Sequence, residues 1–166
     1  MTTSYSKAPD FPPDTIHELF DYDPDTGLFT RTSTRGGQVK GSLAGYTRED
    51  GYTYIRVLGK QYLGHLLAWY YYYMSWPIEQ IDHINGIKND NRIVNLRDVT
   101  QSINQQNQLR APVTNLSTGV LGVSKVAEGR FKARATINGV RKSLGTFNTL
   151  EKAEQAYIDA KRLDQV

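Results

Sequence analysis

Asp82 and His83 stand side by side, and Asn85, Asp90, Asn91, Asn95, Asn104 and Asn107 follow close behind. Carboxylate and carboxamide oxygens are hard donors that suit Mg²⁺ or Mn²⁺, and two such ligands leave coordination positions for water and phosphate oxygens. An imidazole that titrates near neutrality can take a proton from water. Hydrolysis of a phosphodiester needs both an activated water and neutralisation of charge on the phosphate and the departing oxygen. A calcium-binding EF-hand loop starting at Asp82 is excluded, because Ile84, Gly86 and Ile93 fall where it needs oxygen ligands. A structural zinc site is excluded too, since the chain has no cysteine and no second histidine nearby. On spacing alone a structural reading stands beside the chemical one: Asp82, Asn91 and Asn95 capping turns, with His83 hydrogen-bonded in a core.

The elements that must position these groups can be read from hydrophobic period. Alternation over Ile81–Ile84 predicts a short strand, Val94–Val99 a second, and Thr100-Gln101-Ser102 the start of a helix carrying Asn104. Neighbouring residues of a regular strand point to opposite sides. For Asp82 and His83 to serve one centre the chain must therefore turn there, and Asn85-Gly86 opens a loop. Upstream, a short helix over Thr15–Phe20 is ended by the turn Asp23-Pro24-Asp25-Thr26-Gly27, and Leu28–Arg31 reads as a strand. Tyr52–Leu58 is a strand, with Gly59-Lys60 turning it into Gln61–Gly64. Leu63, Leu66, Leu67, Tyr70, Tyr71 and Met74 share a helical face, and Trp76-Pro77 stops that helix. The aromatic string Trp69–Tyr73 lies on this helix and reads as core packing rather than a base-stacking platform.

Beyond Ala111–Thr118, which carries neither period, the pattern becomes three strands and a helix. Leu121–Val126, Arg130–Ile137 and Val140–Phe147 are the strands, the last two joined by the hairpin turn Asn138-Gly139. Asn148 reads as a helix cap with Glu151 three residues on, and Leu150, Ala153, Tyr157 and Ala160 line the apolar face. In the second strand Phe131, Ala133, Ala135 and Ile137 face that helix. Arg130, Lys132, Arg134 and Thr136 face the other way. Arg141, Lys142 and Ser143 of the third strand extend this basic region. Such a face suits a polyanion, and a sheet of this shape can enter a major groove. An ordinary solvated sheet face is the alternative.

Bulk properties set the limits. The chain has 166 residues and a net charge of only +3, but the charge is unevenly spread. Asp10–Asp25 is acidic throughout and Pro112–Asn148 strongly basic. The absence of cysteine, of an apolar leader and of a membrane-length segment predicts a soluble, cytoplasmic protein. The expected organisation is a flexible lead-in over 1–14, a catalytic domain over 15–110, a linker over 111–118 and a small domain over 119–166.

The run Ile81-Asp82-His83-Ile84-Asn85-Gly86, with Asp90-Asn91-Arg92, Asn95-Leu96-Arg97 and Asn104-Gln105-Gln106-Asn107, resembles the HNH motif of phage and intron-encoded homing endonucleases. The segments Gly64–Trp69 and Asp23–Gly27 are similar to stretches that precede the motif in those enzymes. The resemblance implies a ββα-metal fold that cuts double-stranded DNA to leave a 5′-phosphate and a 3′-hydroxyl. By it His83 is the general base, Asp82 and Asn104 hold Mg²⁺ or Mn²⁺, and Asn95 orients the loop and the base. Leu66 stands where relatives often carry arginine. The carboxy-terminal motifs Gly122-Val123-Ser124, Gly129–Ala133, Leu144–Phe147 and Ala153–Tyr157 resemble the AP2 DNA-binding domain. That likeness implies a three-stranded sheet in the major groove, with Arg130, Lys132, Arg134, Arg141, Ser124 and Ser143 towards DNA. Ser143 takes the place of the family's groove-facing tryptophan. The fold class expected is therefore α+β, hairpin-rich at first, then a ββα core and an AP2-like sheet. The leading functional expectation is a DNA endonuclease, acting as monomer or homodimer, and the alternative is a non-catalytic DNA-binding regulator.

Overall fold

A computed structural model describes residues 8–100 and 118–163. The chain is α+β, with small antiparallel sheets, and the described residues fall into two compact units. One comprises 8–83 and 88–100, the other 84–87 and 118–163.

In the first unit, helix α1 (Pro13–Leu19) begins with proline, whose fixed φ suits a first helical position, and carries Asp14 in its first turn. It stops where Phe20 becomes extended, with φ −140°. Phe20 therefore opens strand β1 (Phe20–Asp23) instead of closing the helix, as the sequence had predicted. Strand β1 pairs antiparallel with β2 (Leu28–Arg31), and β3 (Leu43–Ala44) joins the far edge of β2. Strands β4 (Tyr46–Thr47), β5 (Thr53–Val57) and β6 (Lys60–Leu63) form a second antiparallel sheet. Leu58 and Gly59, both at positive φ, make the β5–β6 turn, one residue earlier than expected.

Helix α2 (Gly64–Tyr73) ends where Met74 adopts the left-handed conformation, ahead of Trp76-Pro77. Every residue from Gly64 to Ala68 is buried, and Tyr70, Trp69 and Tyr71 pack on the same core as Phe29, Ile55 and Leu67. The core reading thus holds for that part of the aromatic string. Tyr72, Tyr73 and Met74 are exposed, so Met74 leaves the apolar face assigned to it. Phe11 is buried against Tyr62 and Tyr70, so the stretch read as a lead-in to residue 14 already supplies a core side chain. Strand β7 (Gln80–His83) pairs antiparallel with β8 (Leu96–Val99), and a single 3₁₀ turn, Ile93–Asn95, leads into β8.

In the second unit β9 (Val123–Ala127), β10 (Arg130–Ile137) and β11 (Val140–Phe147) form an antiparallel sheet in the order β11-β10-β9. Helix α3 (Leu150–Leu163) covers the face that carries Ala133 and Ala135. Its first turn is capped by Thr149, whose Oγ1 accepts the Lys152 N–H at 3.3 Å, and not by Asn148. With the cap one residue later, Glu151 is no longer at the capping-box position. Ile158 and Glu154, absent from the expected apolar face, are buried on this helix beside Ala153. The expected linker and the helix carrying Asn104 lie outside the described residues, apart from Thr118.

Candidate active site

Asp82 and His83 end strand β7, and the ladder stays in register to its last pair: Asp82 lies opposite Arg97 and His83 opposite Leu96. The chain turns after His83, not between the two residues. Their side chains therefore leave opposite faces of the strand; the turn expected between them is absent, and the two groups can share one phosphate only around the end of β7.

On one face the Asp82 carboxylate meets Arg97. The guanidinium donates from Nε (2.9 Å) and Nη2 (2.6 Å), both to Oδ2. Both side chains are largely buried, and Nη1 of Arg97 is buried with no hydrogen-bond partner among the described residues. Cross-strand pairs on one face of a ladder are neighbours, so this contact follows from register alone.

On the other face the His83 imidazole is only 6 % exposed. Its Nε2 lies 3.4 Å from Asn91 Oδ1, the His65 ring stands edge-on with centroids 5.0 Å apart, and the Tyr52 ring is 6.1 Å away. An amide oxygen only accepts, so Nε2 carries the proton and Nδ1 holds the lone pair. Burial pushes the His83 pKa below its ordinary 6.5. The Asn91 contact and the Asp82 and Asp90 charges oppose that shift, and Lys88 reinforces it. The imidazole is thus neutral at physiological pH, as a base must be. His65 is buried and pushed further down, by burial first and then by His83.

The loop that carries Asn91 is tightly strutted. Asp90 accepts Arg92 Nε (2.8 Å) and Nη2 (2.5 Å), and Asn95, fully buried, donates to the Asp90 carbonyl at 2.8 Å. The turn joining β1 to β2 braces the same loop. Tyr22 Oη donates to the Asn91 carbonyl (2.7 Å), and the Ile93 N–H donates to the Pro24 carbonyl (3.2 Å). Gly27, at φ +72°, is packed so closely that a Cβ would come within 2.5 Å of the Arg92 nitrogen. Gly64 opens α2 where a Cβ would reach 2.8 Å from Asn91 Nδ2. Sequence reading placed Asn91 and Arg97 within the motif, and Gly27 and Gly64 in the segments before it, but gave none of them a catalytic or metal-binding role. Register was the available signal for Arg97, and none of comparable strength marked the glycines. Asn104 lies outside the described residues.

Gly27→Ala is expected to cost about 1–3 kcal/mol for the left-handed backbone, and more for the displaced loop. Gly41, at φ +78° with open space around it, is the matched control. Urea midpoints of Gly27→Ala and Gly41→Ala should differ clearly, with the former lower. Equal losses would mean that the turn does not brace the loop.

In the second unit the ladder sorts the basic residues. Arg134 lies opposite Ser143, Thr136 opposite Arg141 and Lys132 opposite both Ser124 and Thr146. Arg130, Lys132 and Arg134 therefore share one face with Ser124, Arg141 and Ser143. A bulge between Ala133 and Arg134 leaves Leu144 unpaired without disturbing this arrangement. Lys142 lies opposite Ala135 and so belongs to the other face, apart from the residues with which it had been grouped.

Residues 62–106 match the family model described as HNH endonuclease. The matched stretch runs from within β6 through α2, β7 and β8, and so contains His65, Asp82, His83, Asn91, Asn95 and Arg97. No curated protein and no solved structure matches the chain. Over this stretch the chain is similar to HNH endonucleases, a class that acts on DNA. Among the described residues no three His, Cys, Asp or Glu side chains gather as a metal-binding group. Asp82 nevertheless fits a divalent ion by its chemistry. It is a hard anionic oxygen donor, although the Arg97 guanidinium occupies its Oδ2 and an ion would compete with that cation.

Proposed function

We propose that the protein is an HNH-type DNA endonuclease with His83 as general base. The observation that carries this reading is the neutral imidazole on β7, held by Asn91 within the matched stretch. His83 Nδ1 takes the proton of the attacking water, and the Nε2–H···Asn91 contact fixes the tautomer that can do so. Asn95 keeps the Asp90–Asn91 loop in shape. Mg²⁺ or Mn²⁺ held by Asp82 and Asn104 would neutralise charge on the phosphate and the departing oxygen. Supercoiled plasmid incubated with either ion, beside EDTA controls, tests the reading. Nicked or linear product that depends on metal and on His83 supports it. The Asp82–Arg97 pair favours one other reading, a DNA-binding regulator in which an arginine has taken the place of the ion. Plasmid bound but never cut would select that alternative.

We further propose that the basic sheet face is an AP2-like surface for double-stranded DNA. Each phosphate contact contributes roughly 0.9 to the slope of log affinity against log salt. Lys132→Ala/Arg134→Ala/Arg141→Ala should therefore lower affinity and flatten that slope by roughly 2–3. Lys142→Ala, on the other face, should leave both nearly unchanged. A Lys142 effect as large as that of Arg134 would refute this assignment of faces.

A further inference from the structure

Residues 84–87 follow the proposed general base directly, yet they belong to the second unit. Asn85 is fully buried there. Its Nδ2 donates to Glu154 Oε1 at 2.6 Å, its Oδ1 accepts the Ile87 N–H at 2.9 Å, and its carbonyl accepts the Leu121 N–H at 3.2 Å. Gly86, at φ +78°, lies where a Cβ would come within 2.7 Å of the Leu121 side chain. Ile87 packs against the cluster of Val120, Val123, Ala133 and Ala153.

Glu154 is the unexpected member of this group. It occupies a buried position of α3 beside Ala153, where an apolar side chain would serve packing better. Burying a carboxylate is costly unless it is hydrogen-bonded. Here the carboxylate holds Asn85, the side chain that shapes the loop after His83.

We propose that Glu154 is a positioning residue for DNA cleavage. By fixing Asn85 it sets the conformation of the 84–87 loop, whose first residue is bonded directly to His83. The proposal rests on the reading of His83 as the base. It makes a carboxylate distant in sequence from the base a contributor to turnover. Small displacements of a reacting group can lower a rate by about a hundredfold.

The test uses the full chain and supercoiled plasmid. Asn85→Asp sets one carboxylate against another and is expected to lower kcat about 10- to 100-fold, with DNA affinity in EDTA unchanged. Adding Glu154→Gln to that variant supplies an amide donor to the new carboxylate and should restore most of the rate. Glu154→Met, which removes the acceptor without adding charge, should also lower kcat at constant affinity. Each rate is taken per folded molecule, with the folded fraction of every variant measured by circular dichroism, so that recovery of folding alone cannot account for recovery of kcat. A wild-type rate in either folded single variant, or a folded double variant that stays slow, would overturn the proposal. A wild-type protein that binds but never cuts would instead overturn the nuclease reading.

Discussion

His83→Ala lowers plasmid cleavage by about 10²–10⁴-fold, the range general acid–base catalysis contributes, while DNA affinity in EDTA stays unchanged. The expectation follows from where the imidazole sits. It is buried among Tyr52, His65 and Asn91, its Nε2 is committed to Asn91, and burial holds its pKa below 6.5. The base is therefore already neutral at neutral pH. Activity should hold level as pH falls towards 6.5 and drop only below it, as the imidazole protonates. Stability follows the same sign. Both His65 and His83 have folded-state pKa values below the unfolded value, so below pH 6.5 the unfolded chain takes up protons before the folded one. Stability is complete above that pH and declines as pH falls towards the folded-state values. Melting temperatures from pH 7.5 to 5.5 check this, and replacing His65 with phenylalanine should lessen the decline. A rate that rises on acidification, or a His83→Ala variant that cuts normally, would remove His83 from the role of base.

What the sequence makes legible here is chiefly what local chemistry decides. The β10–β11 hairpin falls where Asn138-Gly139 places it, because two successive positive-φ residues define that turn without outside help. Strand β2 is bounded as expected by the turn before it. Phe20 was lost to the helix because its strand exists only through pairing with β2, a partner no short window contains. Of the site, the residue types and their order could be read, and they guided the expectation of a nuclease. The supports could not. Whether Asp82 faces Arg97 depends on strand register, and whether Gly27 touches Arg92 depends on how distant loops meet. Lys142 is the opposite case, since its place was readable from the period of the strand alone. Clustered in sequence with Arg141 and Ser143, it is separated from them by simple alternation along β11.

Asp82→Ala should abolish cleavage and also destabilise the protein, and the two effects can be separated. Removing one partner of a buried ion pair leaves the other charge uncompensated, at a cost of about 3–5 kcal/mol. Arg97 would be left so placed, with Nη1 already lacking a partner among the described residues and its side chain only 8 % exposed. Replacing both residues is expected to be far milder, because two well-packed apolar side chains can match or exceed the stability of a buried pair. Asp82→Ala/Arg97→Met should therefore recover most of the urea midpoint lost in Asp82→Ala, yet remain inactive with Mg²⁺ or Mn²⁺. Arg97→Met alone leaves the Asp82 carboxylate without its cation and should also lower the urea midpoint, and cleavage per folded molecule should fall because the carboxylate is released from the geometry that Nε and Nη2 impose on Oδ2. If the double variant were no more stable than Asp82→Ala, the pair would not be the buried electrostatic unit described here. If the double variant still cut plasmid, Asp82 would not be the ligand on which cleavage depends. A polar pair at this place adds little stability over apolar neighbours, so under the proposed nuclease reading its value would lie in aiming one carboxylate at the ion.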